Sequence, residues 1–202
     1  MSLVALFGAL AVAVTIVQFA PQAFRVQRSG VAGVAVGTWA LFTCTTAAWL
    51  SYGIVAHQLS LTLVNLVVGP LAWSILARLA LVPKNRARAL AAFGVATLCA
   101  AVTALYPTIS VFVLAAVEVV AIVPQLLEVF KPIDLSGVSV ATWLATAFAQ
   151  SLWGIYGIVA SQLAVSLGGF AGGALAVGIA LRLGYLTKHA KPSAPEKTSP
   201  KK

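Results

Sequence analysis

The sequence predicts an all-α transmembrane protein in which seven helices follow a 3+1+3 arrangement, with two parallel triple-helix bundles joined by a linker helix. Three observations predict this fold: an apolar composition, basic residues confined to alternate connections, and an internal repeat of three helices. Of the 202 residues, 61% are hydrophobic and only 8% are charged. Soluble domains carry about 25% charged residues, so this chain cannot cover a water-facing surface.

Seven apolar stretches reach or approach the ~20 residues that a helix needs to cross a ~30 Å hydrocarbon core. They are continuously apolar rather than alternating, which favours helices over membrane strands. The fourth is the shortest. In chain order the stretches are Leu3–Phe24, Val34–Ala56, Leu59–Val82, Ala89–Tyr106, Thr108–Phe130, Val138–Ala160 and Leu163–Leu186.

The basic residues predict the orientation of these helices. All 13 Lys and Arg fall in four places, and seven spans put all four on one side of the membrane. The positive-inside rule makes that side cytoplasmic. The N-terminus is then outside, the C-terminus is cytoplasmic, and the expected location is the plasma membrane. This placement explains the net charge of +9, so we expect no nucleic-acid partner. The expected surroundings are the lipid bilayer. The four places are Arg25 and Arg28; Arg78, Lys84, Arg86 and Arg88; Lys131; and Arg182 with the five lysines that follow it.

Two parts of the chain repeat each other. Pro-Gln at 21–22 recurs at 124–125, an offset of 103 residues, and Gly-Val-Ala-Val-Gly-Thr-Trp at 33–39 recurs as Gly-Val-Ser-Val-Ala-Thr-Trp at 137–143, an offset of 104. Trp-Leu-Ser-Tyr-Gly-Ile-Val-Ala at 49–56 recurs as Trp-Gly-Ile-Tyr-Gly-Ile-Val-Ala at 153–160. Each copy therefore spans three helices.

An odd number of helices per copy explains the fourth helix. Two directly fused copies would insert in opposite orientations, and one additional helix restores the parallel orientation. We expect a first triple-helix repeat at 3–82, a linker with the inversion helix at 83–106, a second repeat at 107–186, and a basic, disordered cytoplasmic tail at 187–202. Parallel repeats are a transporter architecture in which substrate binds near the midplane, between the repeats.

Pro21 and Pro124 lie inside predicted helices, toward the cytoplasmic end. Proline removes a backbone hydrogen bond and kinks a helix. We interpret the duplicated prolines as hinges of an inner gate, with Gln22 and Gln125 able to bond the freed carbonyls. Static kinks are the alternative, because proline is frequent in membrane helices.

Trp49 and Asn65 are the sharpest candidate pair for a binding site. Each is eight residues from the turn at His57, so both lie about 12 Å below it on antiparallel neighbouring helices. An indole face and an amide suit a sugar, whose ring stacks and whose hydroxyls need hydrogen-bond partners. The alternative is structural, with Trp49 as an interface anchor and Asn65 bonded to a neighbouring helix.

The second repeat keeps the tryptophan as Trp153 and replaces the asparagine by Gly169. This glycine lies in a Gly-Gly-Phe-Ala-Gly-Gly segment at 168–173, where small residues at four-residue spacing favour close helix packing. Gly169 could also leave room in the cavity.

Glu118 is the only carboxylate deep inside a predicted span. It lies near the midplane, and ionisable residues at that depth are functional candidates. Proton coupling, a substrate contact and a protonated structural bridge between helices all remain open. The equivalent residue in the first repeat is Thr15, which cannot titrate.

The sequence contains no glycine-rich phosphate loop, no cluster with metal-ligand spacing and no hydrolytic triad pattern. We therefore expect no enzyme activity, no cofactor and no metal. The oligomeric state stays open, and a homo-oligomer is compatible with the sequence.

The chain resembles the SWEET sugar transporters of the PQ-loop (MtN3/saliva-like) superfamily over about residues 3–186. The resemblance rests on Pro-Gln in the first helix of each unit, the unmatched fourth helix, and the Trp-Leu-Ser-Tyr-Gly and Trp-Gly-Ile-Tyr-Gly segments. It implies that Trp49, Asn65 and Trp153 line a sugar site. Gly169 departs from the family pattern, which has a second asparagine there.

These observations predict a facilitative carrier of a mono- or disaccharide that works by alternating access. The resemblance also allows a proton-coupled carrier of amino acids or another small solute that uses Glu118. A membrane receptor or assembly subunit without transport activity is the third possibility.

Overall fold

The computed structural model describes residues 2–32, 34–130 and 139–189. In these ranges the chain forms seven α-helices, as the sequence predicted. They are α1 (Leu3–Ser29), α2 (Val36–Val55), α3 (Leu59–Ala80), α4 (Pro83–Leu105), α5 (Pro107–Glu128), α6 (Val140–Val159) and α7 (Leu163–His189). Lys131, the first residue of the sixth predicted stretch and most of the predicted tail lie outside the described residues.

Three helices, α1, α4 and α7, are longer than the apolar pattern predicted. Helix α4 begins at Pro83 rather than at Ala89, with the proline in its first turn, where its missing N–H costs no hydrogen bond. Helix α1 continues past Phe24 to Ser29 and ends at Gly30, which has φ 83°. An apolar run marks only the part of a helix inside hydrocarbon, so the charged turns at its end were missed.

Five helices are long and apolar enough to cross a membrane, which makes the chain an integral, multi-span membrane protein. The other two, α2 and α6, have 20 residues each and are not among the five. Thr43, Thr45 and Thr46 of α2 are buried in the protein. Hydroxyl-bearing residues are common where membrane helices pack together, and such residues lower the hydropathy of a helix that lies among others. Length and composition thus make five of the seven predicted spans candidate membrane spans. The five are α1, α3, α4, α5 and α7.

The helix contacts run in a closed ring. Helix α3 contacts both α1 and α2, and α7 contacts both α5 and α6. Contacts α1–α6 and α2–α5 then close the ring in the order α1, α3, α2, α5, α7, α6. In the described residues the backbones of α1 and α2 stay apart, as do those of α5 and α6, although the Phe19 ring of α1 lies 6.3 Å and 5.1 Å from the rings of Trp39 and Phe42 in α2. The first three and the last three helices, which we call the two halves, therefore follow the same contact order.

Helix α4 lies outside this ring. It contacts α2, α3 and, more narrowly, α5. Its buried Ala89 and Ala92 pack with Ile75, Leu76 and Leu79 of α3 in one apolar cluster. We call the end of the protein where this cluster and the arginines of α1, α3 and α4 lie the basic end.

The opposite end, which we call the turn end, holds the connections α2–α3, α4–α5 and α6–α7. A recess of about 300 Å³ there is lined by residues that flank all three connections, among them Ala56, Pro107 and Leu163. A second apolar cluster, which includes Trp49, Tyr52 and Tyr156, lies at this end and joins the halves.

Candidate functional site

Among the described residues, four side-chain hydrogen bonds connect the halves, and they form two crossed pairs. The outer pair lies at the turn end. Tyr52 Oη donates to Gln162 Oε1 at 2.5 Å, and Tyr156 Oη donates to Gln58 Oε1 at 3.0 Å. The two bonds are equivalent, because Tyr52 and Gln58 match Tyr156 and Gln162 at the repeat offset of 104 residues.

The turn after α2 positions the residues of the outer pair. His57 has φ 55°, and the Gln58 N–H bonds to the carbonyl of Gly53 at 2.8 Å, which is the helix-ending pattern of a Schellman motif. Gly53 lets α3 return closely, because a Cβ there would lie 2.7 Å from the backbone nitrogen of Thr62. Ser161, with φ 56°, repeats this turn after α6. Each turn therefore places a glutamine directly after the helix that carries the tyrosine.

The deeper pair joins each tryptophan to the first helix of the other half. Trp49 Nε1 donates to Glu118 Oε1 at 2.7 Å, and Trp153 Nε1 donates to Thr15 Oγ1 at 3.0 Å. Each indole also packs edge-on against the tyrosine three residues later, with ring centroids 5.9 Å apart for Trp49 and 5.5 Å for Trp153. Residues three apart lie on one helix face, so each half presents tryptophan and tyrosine together to the other half.

The two acceptors of the deeper pair, Thr15 and Glu118, differ chemically. Thr15 Oγ1 also donates to the carbonyl of Ala11 at 2.8 Å, so its hydroxyl proton is used within α1. In the described part of the chain, Glu118 makes no side-chain hydrogen bond other than the one from Trp49. A carboxyl group with one such partner can accept from a substrate hydroxyl, bind a cation or carry a proton.

Asn65 lies inside α3 and is only 6% exposed. Its Nδ2 donates to the carbonyl of Leu61 at 2.8 Å, which leaves the amide oxygen as its acceptor for another donor. Trp49, at 7% exposed, is similarly enclosed. Both residues lie inside helices, and their joint role in binding stays a prediction.

Gly169 is packed against α6. A Cβ at this position would collide with the backbone nitrogen of Gly154 and lie 2.7 Å from the carbonyl oxygen of Gln150. These are the contacts of close helix packing. The structure gives Gly169 a packing role, and its predicted role in a substrate cavity stays a prediction.

The two prolines lie inside helices, as the sequence predicted: Pro21 in α1 and Pro124 in α5. Both are exposed. Gln22 Oε1 accepts a hydrogen bond from Arg25 Nε at 3.2 Å, so this oxygen is bonded one turn along the same helix.

The structure brings Trp49 together with Glu118, two candidates that the sequence treated separately. Sequence reasoning missed Thr15 as a partner of Trp153 and missed both tyrosine–glutamine bonds. The repeat itself carried the signal, because polar residues that recur at matching positions in two otherwise apolar repeats are candidates for contacts between them.

Trp49, Asn65 and Trp153 line neither the turn-end recess nor a second recess between α6 and α7. Tyr52 and Gln162, which share an inter-half hydrogen bond, line the turn-end recess. Within the described residues, no group of three or more His, Cys, Asp or Glu side chains could hold a metal ion. Comparison of the chain with protein-family models, curated proteins and solved structures found no match.

Proposed function

We propose that this chain is a membrane carrier that moves a small sugar by facilitated diffusion, with its two halves alternately opening toward each side. The observation that carries the proposal is the crossed arrangement of the four inter-half hydrogen bonds. They lie in two layers in the turn-end part of the ring, so they can break together when the halves separate there and reform when that end closes.

The proposal includes the 3+1+3 arrangement of parallel repeats. It is supported by the equal contact order of the two halves and by the position of α4 outside the ring. All seven helices then cross the bilayer. Helices α2 and α6 carry no charged residue, and 20 residues give each a length of about 30 Å. By the positive-inside rule the basic end is cytoplasmic, and the turn end faces outward.

A sugar is favoured by the side chains near the deeper layer. Trp49 and Trp153 offer flat apolar faces that suit a sugar ring, and Asn65, at 6% exposed, offers an amide oxygen that can accept a hydrogen bond from a substrate hydroxyl. Opening of the turn end would free Trp49 and Trp153 from their inter-half bonds and expose them to substrate. The resemblance to SWEET transporters points to the same substrate class.

The bond between Trp49 and Glu118 favours a second candidate function. It ties the one carboxylate deep in a predicted span to a predicted substrate-site residue. Protonation of Glu118 would change this bond, because a carboxylate accepts hydrogen bonds more strongly than a carboxylic acid. Such a link would couple proton movement to the transport of an amino acid or another small solute.

Flux measurements in proteoliposomes test both functions. A panel of mono- and disaccharides and amino acids would be tested with and without a pH gradient. The sugar carrier predicts downhill sugar flux that the gradient does not change. Accumulation driven by the gradient, and lost in Glu118→Gln, would favour the proton-coupled carrier. Absence of flux for the whole panel would favour a receptor or assembly subunit.

Asn65→Ala tests the sugar site within the same assay. An unpaired substrate hydroxyl in a dry site costs ~1–3 kcal/mol, so the variant should bind the transported sugar roughly tenfold to a hundredfold more weakly. Asn85→Ala is the matched control, because Asn85 lies in the first turns of α4 at the basic end. Folded Asn65→Ala protein with unchanged sugar affinity would refute the site.

A further inference from the structure

An apolar groove runs between the start of α6 and the end of α7. Its volume is about 480 Å³, within the ~300–1,000 Å³ typical of small-molecule sites. Its walls are apolar except near one end, where Tyr185 and Lys188 stand. Several wall residues are strongly exposed, with Leu181 at 70%, Leu144 at 54% and Val177 at 42%. The lining residues are Val140, Leu144, Val177, Ala180, Leu181, Gly184, Tyr185 and Lys188.

The equivalent surface of the first half is covered by a helix. Subtracting the repeat offset of 104 from Leu144, Val177 and Ala180 gives Ala40, Trp73 and Leu76. All three of these first-half residues pack in the apolar cluster that includes Ala89, Ala92 and Phe93 of α4. The groove is therefore the counterpart of the surface on which α4 sits. In the described part of the chain, no helix follows α7 to cover it.

The charge at the end of the groove indicates what covers it. Lys188 is exposed and forms no ion pair with any described residue. Lys188 is the last residue of the candidate span of α7, so it lies at the depth of the lipid headgroups. Tyr185 is one of the aromatic residues typical of that layer. The neighbouring Arg182 packs its guanidinium over the Phe130 and Tyr185 rings, at 5.1 and 5.5 Å from their centroids. A ligand with an apolar chain and an anionic head matches this surface.

Two other occupants from the same sequence fit less well. A second copy of the chain also carries a net charge of +9, so contact at the basic end brings like charges together. Residues 190–202 contain Lys, Pro, Ser and Ala but no large apolar side chain, so they cannot fill an apolar groove.

We propose that the groove between α6 and α7 binds one anionic phospholipid, with an acyl chain along Leu144, Val177 and Leu181 and the phosphate at Lys188. The lipid then covers in the second half the surface that α4 covers in the first. This proposal does not depend on the transported substrate.

Lipid binding to the full-length protein in mixed micelles tests the proposal. Phosphatidylglycerol and phosphatidylcholine with identical acyl chains would be titrated, and bound lipid would be counted by native mass spectrometry. A Lys near the membrane surface contributes ~1 kcal/mol toward an anionic lipid, or about fivefold in affinity. Phosphatidylglycerol should therefore bind about fivefold more tightly, and Lys188→Gln should remove the preference. Lys84→Gln is the matched control, because Lys84 is the equivalent residue beside the surface that α4 covers, and it should keep the preference.

A second variant tests the groove itself. Val177→Trp introduces the residue found at the equivalent position of the first half, Trp73, and should fill the groove and displace both lipids. Equal binding of the two lipids by the unmodified protein, or equal loss of preference in Lys188→Gln and Lys84→Gln, would overturn the proposal. Tight lipid retention in Val177→Trp would also overturn it. The proposal would also be overturned if the unmodified protein were a dimer that Val177→Trp converts to monomers, because a second copy of the chain would then occupy the groove.

Discussion

Replacing Trp49 by Phe keeps an aromatic ring in the core and removes the indole N–H that bonds to Glu118. Trp153→Phe removes the same atoms at the equivalent position, where the partner is the hydroxyl of Thr15. A hydrogen bond to a charged group contributes ~1.5–3 kcal/mol and a neutral one ~0.5–1.5 kcal/mol. Loss of ring area affects both variants, so Trp49→Phe should lower the free energy of unfolding by about 1 kcal/mol more than Trp153→Phe does.

Denaturant unfolding in mixed micelles measures this difference. The control background is Glu118→Gln, which keeps an oxygen acceptor for Trp49 and removes the charge. In that background the two tryptophan substitutions should cost the same within about 0.5 kcal/mol. Equal costs in the native background as well would show that the carboxyl of Glu118 adds nothing to its bond with Trp49, and would refute the reasoning.

Three further predictions concern the hinges, the orientation and the helix packing. Pro21→Ala combined with Pro124→Ala should slow transport while folded yield and equilibrium substrate binding stay largely intact, as measured by flux and binding assays on one preparation. In a cysteine-free background, a membrane-impermeant thiol reagent applied to intact cells should label His57→Cys and spare Arg86→Cys. Gly169→Asn should destabilise the protein by ~1–3 kcal/mol through overpacking against α6, as measured by thermal unfolding.

Each of these predictions has a clear contrary result. Full transport in the double proline variant would make both prolines static kinks. Labelling at position 86 from outside would overturn the orientation and the count of seven spans. Gly94→Ala is the control for the glycine, because a Cβ there meets no atom within 4 Å. If Gly169→Asn were as stable as Gly94→Ala, α6 and α7 could not be packed as closely as we describe.

The sequence predicted the helices well because membrane helices are long and continuously apolar. Its errors lie at their ends. Helix α4 was predicted from Ala89, yet it begins at Pro83, since a proline start and the basic turn that follows carry no apolar signal. Hydropathy likewise does not identify α2 as a membrane span, because this helix carries buried threonines that face protein rather than lipid.

The sequence identified several residues of the candidate site but did not predict which of them contact each other. The repeat drew attention to Trp49 and Trp153, and the depth of Glu118 drew attention to its charge. That Glu118 bonds to Trp49 depends on the contact between α2 and α5, which joins segments 69 residues apart. No local pattern encodes such a contact. Gly169 is the opposite case, because the pattern of small residues at four-residue spacing predicted close helix packing, and the structure shows its contact with α6.

The central claim is that the halves separate at the turn end during transport. Tyr52→Cys with Gln162→Cys, in a cysteine-free background, allows a reducible bifunctional thiol reagent to link the halves across their outer bond. The control links Gln27→Cys to Ser74→Cys, which joins α1 and α3 within one half, where Gln27 Nε2 and Ser74 Oγ lie 3.2 Å apart. Sugar flux in proteoliposomes is the measurement. We expect the link between the halves to abolish flux, reduction of the link to restore it, and the control link to leave it unchanged. Full flux through protein linked between residues 52 and 162 would contradict the account.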